Sequence, residues 1–200
     1  MQTNIEPFSS GAMAMKQVTF VFATGTSWLD RLVTWVTRSP WSHVAMRFDS
    51  DDILVEALAG RGFLIQPGKK YNKFSINRSI QRHIPELVYD EMLVKCRRWE
   101  QEKVPYGYTT CLLIGVKEVF GLATAKFVLA MFPWWGSDTM ICSELIINLW
   151  RQAQSDFLQG QNHRLVSPDE LYRALLQQPR QDVGTKLTNR EIVPIIVEEK

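Results

Sequence analysis

The sequence predicts an α+β domain in which a small antiparallel sheet packs against helices. Three observations carry that reading. Two short apolar runs, "HVAMRF" and "ILVEAL", flank the turn residues "DSDD", which is a hairpin pattern. Helical spacing dominates the stretch before this hairpin and most of the chain after it, so helix, sheet and helix succeed one another in one unit. With 200 residues, 46% of them hydrophobic and 22% charged, the chain has the size and composition of one folded domain.

Each element has its own local reason. "MQTNIEPFSSGAMAMK" is small and polar, so residues 1–16 read as a loose tail and 17–200 as the domain. "VTFVFA" (18–23) reads as a buried strand ended by Gly25. A helix follows, with Ser27 as N-cap, Asp30 three residues on, and Leu29, Leu32, Val33 and Val36 on its apolar face; Ser39-Pro40 stops it. After the hairpin, "GFLIQ" adds a third strand, and Pro67-Gly68-Lys69-Lys70 makes a loop. "INRSIQR" fits neither period cleanly.

From Glu86 to Lys103, Leu87, Met92, Leu93, Cys96 and Trp99 recur in a helical manner, ending before Pro105. The apolar stretch from Cys111 to Trp135 is interrupted by Lys117, Glu118 and Lys126, which argues for two short helices broken near Gly121 rather than a membrane span. "DTMICSELIINLWRQA" is a further helix with Asp138 or Thr139 as its cap. Ser167-Pro168-Asp169-Glu170 opens the last helix, and "EIVPIIVE" reads as an edge strand because Pro194 cannot sit centrally.

Several function classes are excluded by bulk properties. A net charge of +2 without a dense Lys/Arg run leaves no electrostatic footprint for nucleic acid. The 3 cysteines, Cys96, Cys111 and Cys142, lack the pairing of a disulfide framework and the spacing of a zinc site, so neither metal nor other cofactor is expected. The N-terminus lacks the basic start and apolar run of a Sec signal. Synthesis in the cytoplasm, with any delivery to the periplasm or a target cell by a non-Sec route, is the expectation.

The candidate site begins at the hairpin. If "DSDD" closes the turn symmetrically, Phe48 faces Ile53, and parity puts His43 and Glu56 on one face as diagonal neighbours. Two readings are then open: a carboxylate orienting a catalytic imidazole, or an ion pair on a half-exposed sheet. Cys142 is open in the same way. Near a helix N-terminus it is placed to lose its proton, yet it shares a stripe with Leu145, Ile146 and Leu149 that would suit a packing thiol. Cys96 and Cys111 read as core, and His83 and His163 as surface histidines without carboxylate partners.

Taken in order, "WSHVAM", "VEAL", "VPYGY", "ICSELI" and "SPDEL" resemble the circularly permuted papain-like hydrolases of the NlpC-type superfamily, which include the YiiX-like members and the lecithin:retinol acyltransferase-like enzymes. The resemblance spans roughly residues 18–171. It implies a permuted papain fold with an apolar helical insertion ahead of the nucleophile helix. It also implies a Cys142 nucleophile, a His43 base and an orienting Glu56, with Tyr106 at the substrate although Gly107 follows it where members often carry a polar residue. The implied chemistry is amide hydrolysis through a thiol acyl-enzyme, with a peptide or cell-wall substrate as first hypothesis and Trp134 and Trp135 as stacking surfaces or, alternatively, core and rim aromatics. A cell-wall role would need phage release or a dedicated secretion machine. The alternative is a lipid thioesterase or acyltransferase using the same thiol at a membrane surface, with residues 112–135 as lid or peripheral contact. A third reading is a binding module on a decayed hydrolase scaffold.

Overall fold

β1 (Met15–Ala23) is the organising strand: it pairs antiparallel with β2 (His43–Phe48) on one side and β5 (Asn77–Pro85) on the other. β3 (Ile53–Leu58) and β4 (Gly62–Pro67) extend the sheet to the order β4-β3-β2-β1-β5, with every neighbour antiparallel. This computed structural model describes residues 14–69, 77–132 and 139–178. Among them are six helices, α1 (Trp28–Thr37), α2 (Glu86–Gln101), α3 (Tyr108–Phe120), α4 (Leu122–Met131), α5 (Cys142–Ala153) and α6 (Pro168–Gln177). The architecture is α+β.

Strand alternation sorts the core. Phe20 and Phe22 of β1, with Val44 and Met46 of β2, face one way and pack in one cluster with Leu145, Ile146 and Leu149 of α5, Met92 of α2 and Leu171 of α6. Trp150 of α5 stands edge-on to Phe20 with ring centroids 5.0 Å apart. Val21, Ala23, Ala45 and Leu54, of opposite parity, form a smaller cluster on the other face.

Local chemistry explains the helix ends. The Ser27–Asp30 capping box starts α1 as expected, and the chain leaves it through Arg38 in a left-handed conformation, φ 49°, ahead of Pro40. Gly25 is required beside that cap because a Cβ there would fall on the Asp30 carboxylate. The same carboxylate accepts from Ser42 Oγ at 2.8 Å, tying α1 to the start of β2. The break between α3 and α4 is at Gly121, φ 89°. A second capping box, Ser167 with Glu170, opens α6 with Pro168 in its first turn.

Three expectations need correction. β1 begins at Met15, so Met15 and Lys16 belong to the sheet and not to a tail; the Lys16 ammonium reaches Glu86 and Asp90, both at 3.0 Å, which extends the ladder outward. The undecided "INRSIQR" is part of β5. Its inward Ile80 and Ile84 alternate with Arg82, whose buried guanidinium donates to the Leu175 carbonyl at 2.7 Å, and an inward charge is what blurred the strand period. Neither Asp138 nor Thr139 is the N-cap of α5: that position is Ile141. Met140 is held extended between Pro105 and Gly107, through Met140 N–H to the Pro105 carbonyl and Gly107 N–H to the Met140 carbonyl, so the helix starts only afterwards. "EIVPIIVE", Trp134, Trp135 and Asp138 lie outside the described residues.

Candidate active site

The β2–β3 ladder sets Phe48 opposite Ile53, the register the turn predicts. The parity that follows turns His43 and Glu56 to one face, and their side chains meet: His43 Nε2 lies 3.2 Å from Glu56 Oε2. Glu56 is fully buried, so this is not a solvated surface pair. With Nε2 on the carboxylate, Nδ1 is left for the other neighbour of the ring, Cys142, which hydrogen-bonds His43 from the first residue of α5.

Charge follows from this geometry. Burial opposes a charge on His43, but the Cys142 sulfur and the Glu56 carboxylate outweigh it and raise the imidazole to about 9. Burial likewise opposes a thiolate at Cys142, and the adjacent His43 together with the backbone N–H groups of Val44 and Ser143 overcomes it, so this thiol lies below its ordinary value. The Ile141 N-cap matters here. It has no capping oxygen, so no Ile141 side chain claims the first N–H groups of α5.

The other thiols behave in the opposite sense. Burial pushes Cys96 up to about 12, and it sits in the core as expected. Cys111 is pushed up to about 11, also by burial. It departs from the core assignment, because it is partly exposed on the wall of a cavity that also reaches Cys142. Tyr106 lines the same wall. Its hydroxyl is 3.3 Å from the Cys111 sulfur, and burial together with the Cys142 charge raises its pKa. The structure therefore gathers Cys142, His43, Glu56 and Tyr106.

The cavity measures about 450 Å³, within the range of small-molecule sites. Leu32, Val33 and Val36 of α1 form one wall, and Leu112, Val116 and Phe120 of α3 the other. In the sequence these α1 residues share one apolar face. Their helical spacing gives the facing side but not whether the partner surface closes against it. His163 also differs from expectation: its Nε2 lies 3.2 Å from Glu144 Oε1, a partner brought close because a short 3-10 turn (His163–Leu165) packs against the start of α5. Ser143 Oγ donates to the Val166 carbonyl at 2.6 Å and fixes the same end. Among the described residues, no cluster of His, Cys, Asp and Glu side chains forms a metal site.

No protein-family model, curated protein or solved structure matches this chain.

Proposed function

We propose that this protein is a cysteine acyl hydrolase of the permuted papain-like type, acting on substrates with an aliphatic acyl group. The observation that carries the reading is the thiol with lowered pKa, Cys142, held by an imidazole with a buried carboxylate behind it at the end of an apolar cavity. Chain order supports the permuted assignment, since the imidazole strand precedes the nucleophile helix.

The thiolate attacks the substrate carbonyl and a carbon–sulfur bond forms. The oxyanion lies against N–H groups of the first turn of α5, which supply electrostatic stabilisation without a side chain. The His43 imidazolium gives its proton to the departing nitrogen or oxygen as that bond breaks. Water, losing a proton to His43, then cleaves the thioester and restores the thiolate. Glu56 keeps the ring oriented and its charged form favoured throughout.

Hydrocarbon walls favour an acyl chain over the peptide amide of a cell wall, because a peptide brings polar groups that need partners on desolvation. The test has two parts. Iodoacetamide at neutral pH labels Cys142 ahead of Cys96 and Cys111, and medium-chain p-nitrophenyl esters turn over faster than both the acetyl ester and cell-wall peptides. The pH profile follows from the imidazole: turnover is lost as pH rises through about 9, where His43 gives up the proton it donates, while alkylation of the thiolate continues above that point. Preferential labelling of Cys111, or release of peptide fragments as the faster reaction, overturns the nucleophile or the substrate respectively.

A further inference from the structure

We propose that α1, α3 and α4 together dock on an anionic bilayer, with the mouth of the cavity against the lipid. Delivery of an acyl group to Cys142 from that surface rests on the acyl-hydrolase reading above; the docking does not. Ala125 is the buried residue of α4, a helix whose sequence "LATAKFVLAM" has one charge, Lys126, and no polar face. A helix so apolar and so exposed needs an apolar partner. Trp28 and Trp35 of α1 are 75% and 77% exposed, and Phe127 of α4 is 65% exposed.

The patch continues into the site. Leu32, Tyr108, Leu112, Val119 and Phe120 are all exposed and all line the cavity, so its walls run out onto the surface. Phe120 and Leu122 flank Gly121 and carry the patch from α3 onto α4. Among the described residues no helix is long and apolar enough to cross a membrane. With 10 residues, α4 is about 15 Å long, half the hydrocarbon thickness, which suits lying in the interface.

Charge selects the lipid. Arg31, Arg38 and Lys126 are exposed on or beside these helices. Of the acidic residues of the same helices, Glu118 is paired with Lys117 at 3.0 Å, and Asp30 keeps its charge, bonded by the Ser27 N–H and the Ser42 hydroxyl. The balance over Arg31, Arg38, Lys126 and Asp30 is basic, complementary to anionic headgroups, with each cation near an anionic surface contributing about 1 kcal/mol.

The experiment is co-sedimentation of the full chain with phosphatidylcholine vesicles, with and without phosphatidylglycerol as about one third of the lipid. Partition is expected to rise about tenfold or more with the anionic lipid and to fall again in high salt. A Trp28→Ser/Trp35→Ser/Phe127→Ser variant, whose positions do not line the cavity, is expected to lose about tenfold or more of the binding and to keep its turnover of a soluble short-chain ester. The wild-type chain remaining in the supernatant, or the variant binding equally well, overturns the docking. So does a wild-type dimer by light scattering that the variant converts to monomer, which would make the face a contact between copies. Cys142 labelled without vesicle binding defeats the docking alone, and vesicle binding with Cys142 unlabelled defeats the thiol chemistry alone.

Discussion

α5 and α4 make an instructive pair. "CSELIINLWRQA" carries two charges and "LATAKFVLAM" one, so by composition α4 is the more apolar helix. Yet α5 buries 8 of its 12 residues and α4 only Ala125 of its 10. The cause is the partner surface. α5 places one side against the inward residues of β1 and β2, while α4 packs only on a small cluster of Leu113 of α3 and Leu165 of the 3-10 turn and leaves Phe127 and Met131 exposed. Composition measures how much a helix would gain from burial; what lies across from it decides whether that gain is realised in the isolated chain.

Cys142 stands at the seam of these two halves, and the largest expected effect lies there. Glu56 reaches the site from the closed half, through His43. Glu56→Gln keeps the side-chain volume and removes the charge that helps to raise His43, so the imidazolium becomes a stronger acid and the alkaline limb of the turnover profile moves below about 9. By analogy with loss of the orienting carboxylate in other triads, turnover should fall about 10²- to 10⁴-fold. A pH–rate profile with an unmoved limb and full activity would make the pair architectural.

Stability gives the next test of the contrast. Trp150 is 2% exposed against Phe20, and Trp150→Ala should cost about 3–5 kcal/mol in urea unfolding. Phe127 on the open half touches no such core, and Phe127→Ala should stay within about 0.5 kcal/mol. If the second substitution costs as much as the first, α4 is covered in solution and the distinction between the halves fails.

Much of the closed half was legible in the sequence because its signals are local. Ser27 with Asp30 and Ser167 with Glu170 announce helix starts within four residues, and "DSDD" fixes a register that places His43 by Glu56. What escaped depended on groups distant along the chain. The start of α5 was misplaced because the pairing of Met140 with Tyr106 keeps that segment extended. His163 looked unpartnered because Glu144 belongs to another helix. Cys111, next to Leu112 and Leu113, reads as packing from its neighbours; only the gap between α1 and α3 makes it a cavity residue. Periodicity names the side of a helix that turns inward and is silent on whether the space beyond is filled.

That space offers the smallest and most local test. Gly115 sits inside α3 on the cavity wall, and a Cβ built there meets Val36 Cγ1 at 3.8 Å, an ordinary contact. Glycine in a helix interior is less favourable than alanine by about 0.5–1 kcal/mol, because it has more backbone freedom to lose on folding. In a closed core the added methyl would meet resistance. Beside an open cavity it should not, so Gly115→Ala is expected to gain about 0.5–1 kcal/mol in urea unfolding. The same methyl narrows the channel, so turnover of medium-chain esters should drop relative to the acetyl ester. A loss of stability instead would mean that Val36 and α3 are packed too tightly at this level to accept a methyl, and the space assigned to an acyl chain beside them would be in doubt.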